Sequence, residues 1–593
     1  MKNLLVILAA AIIVALPFLF KKATDTGDWH AGDPVLVVIT PHNEAARYEF
    51  AEAFSRWHRA RYGRPVKVDW RVIGGTTEIM RYLTSEYASS YQACWKREGR
   101  PWPANGAEII FDTRFKPDKP PADAATNISV REAFESQRAL YTAFRSTDDP
   151  AACSCGIDLL FGGGSYDHDK AARQGITVAP WRGDELKQPE VMEMLNEIPA
   201  QCGGEVWRSD MFFGNVISSF GICFNQDRLA DMGLAKPLAS WRDLADPRLF
   251  GQVGLSDPTK SGSVAKAFEM IVHEQCWQAV TAAGFSHEQV AQYEAAIAKA
   301  RLPPGQLPPG VPAEYQAAVE QGWVNGINLL RTIGANARYF TDSGGKVVTD
   351  VSAGAVAAGV AIDFYGRFQA ETEKAPDGHE RMGYITPVGG SSVSADPISL
   401  LRGAPHRELA VRFISFMLSP AGQKIWCCRA GTPEGPIRFT LRRMPIRRDF
   451  YPSDDPATQA AYESHKPFLA DNLEDPTVNP YILGSRFAYQ PRWTSLHFGI
   501  QRDLVRAMCM DSGDELRDAW HAILTHGGPE KNPKAMALLY NLPDAPYPLN
   551  WRSAISTYAN ADRNVCLRDW TAFFRARYRE ARAAAESNHT TAP

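Results

Sequence analysis

A membrane-length apolar run that gives way to alternating strand, polar loop and amphipathic helix sets the limits on what this chain can become. Leu4 to Phe20 are seventeen residues without a charged or polar side chain, the lower limit for a helix crossing the hydrocarbon core of a bilayer. After Lys21 and Lys22 the chain turns polar, and Val35-Leu36-Val37-Val38-Ile39 reads as a strand buried on both faces. Thr40 to Glu44 form a loop. Ala46, Phe50, Ala53, Phe54 and Trp57 then fall on one face of a helix that Asn43 can cap and Gly63 can end. Val66, Val68, Trp70 and Val72 alternate with polar residues, as in a strand with one wet face. Gly74-Gly75-Thr76-Thr77-Glu78 opens a second helix carrying Ile79, Met80, Leu83 and Tyr87. Both polar loops lie at the C-terminal ends of strands, the edge where open α/β sheets collect ligands.

The leader lacks the small-residue ending of a cleaved secretory peptide and has no cysteine before Cys94 for a lipid, which favours an uncleaved anchor over residues 4–20. The 593 residues exceed one ordinary core. Hydrophobic residues at 45% and charged residues at 22% fit a globular protein and exclude long disorder. With 64 basic against 67 acidic residues and no basic block, nothing favours nucleic acid as a partner. Ten cysteines show no C-x-x-C pair; in an exported chain an even count allows disulfides, with Cys94 to Cys153 or Cys155 the first pairing to test and buried thiols the alternative.

The pattern continues downstream. Ile109-Ile110-Phe111 and Ile157 to Phe161 are predicted strands, the second running into Gly162-Gly163-Gly164-Ser165. Pro180 to Arg208 reads as a passage between lobes, and residues 301–312 as a proline/glycine insertion on the surface. Val253 to Ser256 leads into Asp257-Pro258-Thr259-Lys260-Ser261-Gly262-Ser263, and Val356 to Ile362 into Asp363-Phe364-Tyr365. Leu409 to Met417 form an amphipathic helix, and Ser419-Pro420 starts the next.

In this order the segments from about 33 to 435 resemble the extracytoplasmic solute-binding proteins of bacterial ABC importers, within the type 2 periplasmic-binding-protein group that takes ferric ion, polyamines, thiamine and phosphosugars. The carriers are Val35 to Trp57, Trp241-Arg242-Asp243-Leu244, Asp257 to Ser263, Ala361 to Tyr365 and Gly403 to Gln423. The resemblance implies an α/β, two-lobed type 2 fold with hinge strands, an N-terminal membrane helix and an α-rich C-terminal extension. Its expected parts are an anchor at 1–22, a first lobe from 33–205, a second from 206–385, a return through 386–440 and the extension at 441–593. The implied partners are a small-molecule or metal ligand, an ABC permease with its ATPase, and the inner membrane, with the body on the periplasmic side.

Glycine- and threonine-rich turns that feed helices suit anions, because helix N-termini present free N–H groups and partial positive charge. On that ground the candidate ligand-binding residues are Thr76, Thr77, Gly163, Ser165, Thr259 and Ser261, together with His42, Asn43, Asp363 and Tyr365. The resemblance to ferric-ion binders would make His42, Asp363 and Tyr365 a metal-facing set with Fe(III) as transported ligand. Phe364 stands where those relatives carry a second tyrosine, and no carboxylate accompanies Gly162 or Gly163. Ferric ion wants several anionic oxygens, so an anionic ligand is the leading expectation. A metal-dependent hydrolase and a ligand-sensing scaffold are the alternatives; no H-E-x-x-H, G-x-S-x-G or P-loop supports an enzyme.

Overall fold

The computed structural model describes residues 29–587 except 235, 237, 304 and 376, so the anchor expected at 4–20 lies outside the described residues. Among them, no helix is long and apolar enough to cross a membrane. Strands β1 (Val35–Ile39), β2 (Lys67–Arg71), β3 (Leu159–Phe161) and β4 (Thr177–Val178) come first, followed by a hairpin of β5 (Gln201–Cys202) and β6 (Glu205–Val206). Next are β7 (Phe213–Ser218), β8 (Phe220–Asn225), β9 (Val253–Ser256), β10 (Ala337–Thr341) and β11 (Ala358–Ile362). The described strands end with β12 (Met382–Ile385), β13 (Ser394–Leu401) and β14 (Met444–Pro445).

These strands build two mixed sheets, ordered β14-β7-β13-β3-β1-β2 (with β4 beside β13) and β10-β9-β11-β8-β12. β1 runs parallel to both its neighbours, whereas β13 is antiparallel to β3 and β7. The uniform apolarity of β1 has a direct cause. Leu36 and Val38 enter one core while Val37 and Ile39 enter another, so both faces of the strand are covered. Asn43 caps the helix Glu44–Tyr62 by accepting from the Ala46 amide, and Gly63 ends it in the left-handed conformation.

Among the described residues the chain passes between the two large sheets three times. Ser219 alone separates β7 from β8, residues 386–393 lead back from β12 to β13, and Phe487 to Gln490 carry the extension from the first lobe to the second. At this third passage Tyr489 N donates to Gly203 O at 2.8 Å, and Gln490 N donates to His273 Nε2 at 2.8 Å. The extension therefore divides. Phe450, Tyr462 and Leu469 pack with Cys427 and Cys428 beside the first lobe. Trp493, Trp520, Trp551 and Trp570 enter the large core of the second.

Three expectations are corrected. Ile109 closes a short helix, Gly106–Ile109, and Ile110 and Phe111 turn back on it through bonds to Gly106 O and Glu108 O. Three apolar residues are too few to distinguish strand from buried turn. Pro180 to Arg208 stays with the first lobe, where Trp181, Val191, Met194 and Ile198 join its core; the crossing comes at Ser219. No bridge links Cys94 to Cys153 or Cys155. All ten cysteines are free thiols, and burial pushes Cys153 up to about 12 and Cys155 up to about 11.

Candidate functional site

Between the sheets lies a cleft of about 1400 Å³, walled by loops that leave β1, β2, β3, β9, β10 and β11 at their C-terminal ends. Among the helices that begin on it are four that follow glycine- or serine-led loops: Thr76–Arg97, Ser165–Arg173, Gly262–Ala282 and Gly344–Ser352. Gly75, Gly164 and Ser343 cap three of them without a side-chain hydrogen bond, and at the fourth the Ser261 hydroxyl accepts from Val264 N. The N-termini adjoin one another. A Cβ on Gly163 would stand 2.7 Å from Thr76 Cγ2, one on Gly75 3.4 Å from Lys260 O, and one on Gly344 3.9 Å from Ser261 Oγ. Unbonded N–H groups and the positive ends of helix dipoles thus converge from both lobes.

Of the expected residues, Thr76, Thr77, Gly163, Ser165, Ser261 and Tyr365 line this cleft, with His42 at its edge. Asn43, Thr259 and Asp363 do not. Asn43 is occupied as a helix cap. The Thr259 hydroxyl donates to Asp257 Oδ1 at 2.6 Å. Asp363 is 1% exposed, behind the wall, and its carboxylate accepts from Ser219 N, Ser219 Oγ and Phe364 N. Burial raises its pKa to about 6, against the opposing charges of Arg367 and Arg443.

His42 is committed elsewhere as well. Its ring lies 4.5 Å from that of Phe161 and 5.5 Å from that of Trp426. Arg443 Nη1 stands 3.2 Å from Nε2, and Thr40 Oγ1 stands 2.8 Å from Nδ1. A guanidinium only donates, so Nε2 accepts and the proton sits on Nδ1. Burial first, then the charge of Arg443, hold the imidazole well below its usual range. Of the three residues expected to face a metal, His42 and Tyr365 line the cleft and Asp363 does not. No group of three His, Cys, Asp or Glu side chains is placed to hold a metal among the described residues.

Several side chains that shape the site gave no signal in the sequence. Buried His168 places Nε2 3.1 Å from Gly162 O and Nδ1 2.7 Å from Ser399 Oγ, which ties the glycine loop to β13; burial lowers its pKa to about 4. Arg443, 3% exposed, donates to Ser218 Oγ and to Asp396, a carboxylate on the cleft floor. Lys266 pairs with Glu205 at 2.9 Å and Glu269 at 3.0 Å. Lys260 and Arg502 have no carboxylate within salt-bridge distance among the described residues; both line the cleft, and Arg502 comes from the extension.

The loop after β3 needs glycine. Gly162 has φ +85°, and a Cβ there would lie 2.2 Å from His42 Cε1, part of a buried ring with no room to yield. Gly162→Ala is expected to lower the unfolding free energy by more than about 2 kcal/mol, read as a shift of the urea midpoint. An unshifted midpoint would mean that the loop and ring relax together.

Residues 207–436, less than half of the chain, match the family model described as bacterial extracellular solute-binding protein. An uncharacterized protein of Haemophilus influenzae is 33% identical over 139 residues, covering 23% of this chain and 37% of its own. The phosphoglycerate transport regulatory protein PgtC of Salmonella typhimurium is 22% identical over 252 residues, covering 42% of this chain and 50% of its own. The chain thus spans half or less of the length of the curated relatives it matches. Among solved structures, the periplasmic binding protein AfuA of Actinobacillus pleuropneumoniae, with exogenous fructose-6-phosphate bound, superimposes with a TM-score of 0.44 at 14% identity. That match covers 80% of this chain and 98% of AfuA. Across residues 207–436, from the approach to β7 to just beyond the helix Pro420–Cys427, the chain resembles the bacterial extracellular solute-binding proteins.

Proposed function

We propose that this chain is the extracytoplasmic solute-binding component of an ABC import system and that it holds a small anionic ligand between its two lobes. The observation that carries this reading is the convergence of four helix N-termini on one cleft, three of them without a side-chain cap. Such termini stabilise carboxylate or phosphate without any cation of their own. Lys260 and Arg502 add positive charge without a salt-bridge partner among the described residues, although Asp167 lies close enough to Arg502 to feel its charge. A phosphorylated or carboxylated metabolite suits this lining better than ferric ion, since both ring nitrogens of His42 and both oxygens of Asp363 are engaged. Ligand contacts on both walls would favour the closed arrangement of the lobes and so present it to a permease.

Thermal unfolding with a panel of probes tests the reading. The panel holds inorganic phosphate, phosphoglycerate, sugar phosphates, phosphonates, ferric citrate, polyamines and thiamine derivatives. Phosphoglycerate leads because one relative's name concerns its transport. A ligand at a hundred times its Kd stabilises the folded form by about 2.7 kcal/mol. The expected result is a shift with at least one phosphorylated or carboxylated probe and none with polyamines or ferric ion. A shift confined to the cationic probes would overturn the proposal.

A further inference from the structure

The helix Phe498–Val505 belongs to the C-terminal extension, outside the stretch that matches the solute-binding family, yet it reaches both walls of the cleft. Arg502 is the reason. Its Nε donates to Pro258 O at 2.6 Å, and its Nη2 donates to Thr259 O at 2.8 Å, on the second lobe. The same Nη2 lies 3.5 Å from Thr77 Oγ1, in the first turn of the helix Thr76–Arg97 on the first lobe. Nη1 has no partner among the described residues, and the side chain lines the cleft. One turn earlier, Phe498 meets Tyr166 of the opposite wall with ring centroids 5.5 Å apart.

We propose that Arg502 is a specificity-determining residue of the cleft: its open Nη1 takes an anionic group of the ligand while Nε and Nη2 hold the two walls in register. The inference rests on the anion reading above and adds to it a named guanidinium from a part of the chain outside the matched stretch. A guanidinium suits this place because its planar fork can serve two carbonyls and an oxyanion at once, which an ammonium cannot do. The competing reading is purely structural, with Arg502 tying its own helix to the Pro258–Thr259 loop.

Titration calorimetry on the full chain separates the two, with phosphoglycerate and inorganic phosphate as probes, at several salt concentrations, for wild type, Arg502→Gln and Arg502→Lys. The glutamine variant is expected to bind at least tenfold more weakly and to show a shallower dependence of affinity on salt, because one charge contact is gone. Lysine restores the charge without the fork, so it should recover the salt dependence but remain weaker than wild type by threefold or more. A structural tie alone would speed amide exchange at 256–261 while leaving salt dependence unchanged. Affinity within twofold of wild type in Arg502→Gln overturns the inference; should that variant not fold, wild-type affinity in Arg502→Lys does so. If the wild type itself binds no anionic probe, the reading of the cleft falls first and this inference with it.

Discussion

Arg443→Met is expected to lower the unfolding free energy at pH 7 by about 3–5 kcal/mol, the range for removing one partner from a buried ion pair. Methionine keeps much of the volume between Phe364 and Trp426, whose ring centroids lie 4.2 Å and 4.9 Å from the guanidinium carbon. The loss is therefore electrostatic more than steric. Asp396 would keep only the Ser218 hydroxyl, at 3.0 Å, and would add uncompensated negative charge to the cleft floor. His42 would lose the donor to its Nε2 together with the positive charge that helps hold its pKa down. Two measurements follow: urea unfolding for the stability change, and NMR titration of the His42 ring, which should move up toward the ordinary imidazole range. A stability loss below about 1 kcal/mol would mean that this network behaves like an exposed pair.

The second large effect has the opposite sign. Glu274 is 7% exposed on the helix Gly262–Ala282, with Oε1 placed 2.7 Å from where a Cβ on Gly390 would sit. Its other oxygen accepts from Gln275 Nε2 at 3.2 Å. Burial pushes its pKa from 4.5 up to about 7, with Gln275 and Arg242 opposing. A carboxyl whose folded pKa is raised contributes stability that is fully present below its unfolded value and is lost as pH rises through the folded value. For Glu274 that window runs from about 4.5 to about 7. Glu274→Gln removes the titration and keeps the shape. Relative to wild type, the variant should gain about 2–3 kcal/mol of stability between pH 5 and pH 8.5. Denaturant titrations at those two pH values give the difference directly, and a constant difference would show that Glu274 is solvated in the folded protein.

What could be read along the chain was what depends on near neighbours. The Asn43 cap, the left-handed Gly63, the Ser419-Pro420 start and the glycine turns after β2 and β3 all involve partners within about one turn, and each is found where the residues placed it. The facing of Thr259 and Asp363 was not legible. Adjacent residues at a strand end or loop point in different directions, so a one-residue difference decides between cleft and interior, and in each case the immediate neighbour, Lys260 or Phe364, is the one that lines the cleft. Partners far apart in sequence were hidden altogether. His42 meets Arg443 across 401 positions, and Arg502 meets Thr77 across 425. No periodicity or local motif marks such pairs. The extension illustrates the point most fully: its helical segments could be anticipated, but not their contribution of Arg502 to the wall of a cleft built by earlier strands.

The third passage between the lobes, at Phe487 to Gln490, changes the mechanics of the whole molecule. One thread linking two masses lets them swivel and splay in any direction. Further links between the same two masses oppose their twisting against each other. If the lobes open to admit a ligand, as proposed, the third link leaves them fewer independent directions in which to splay.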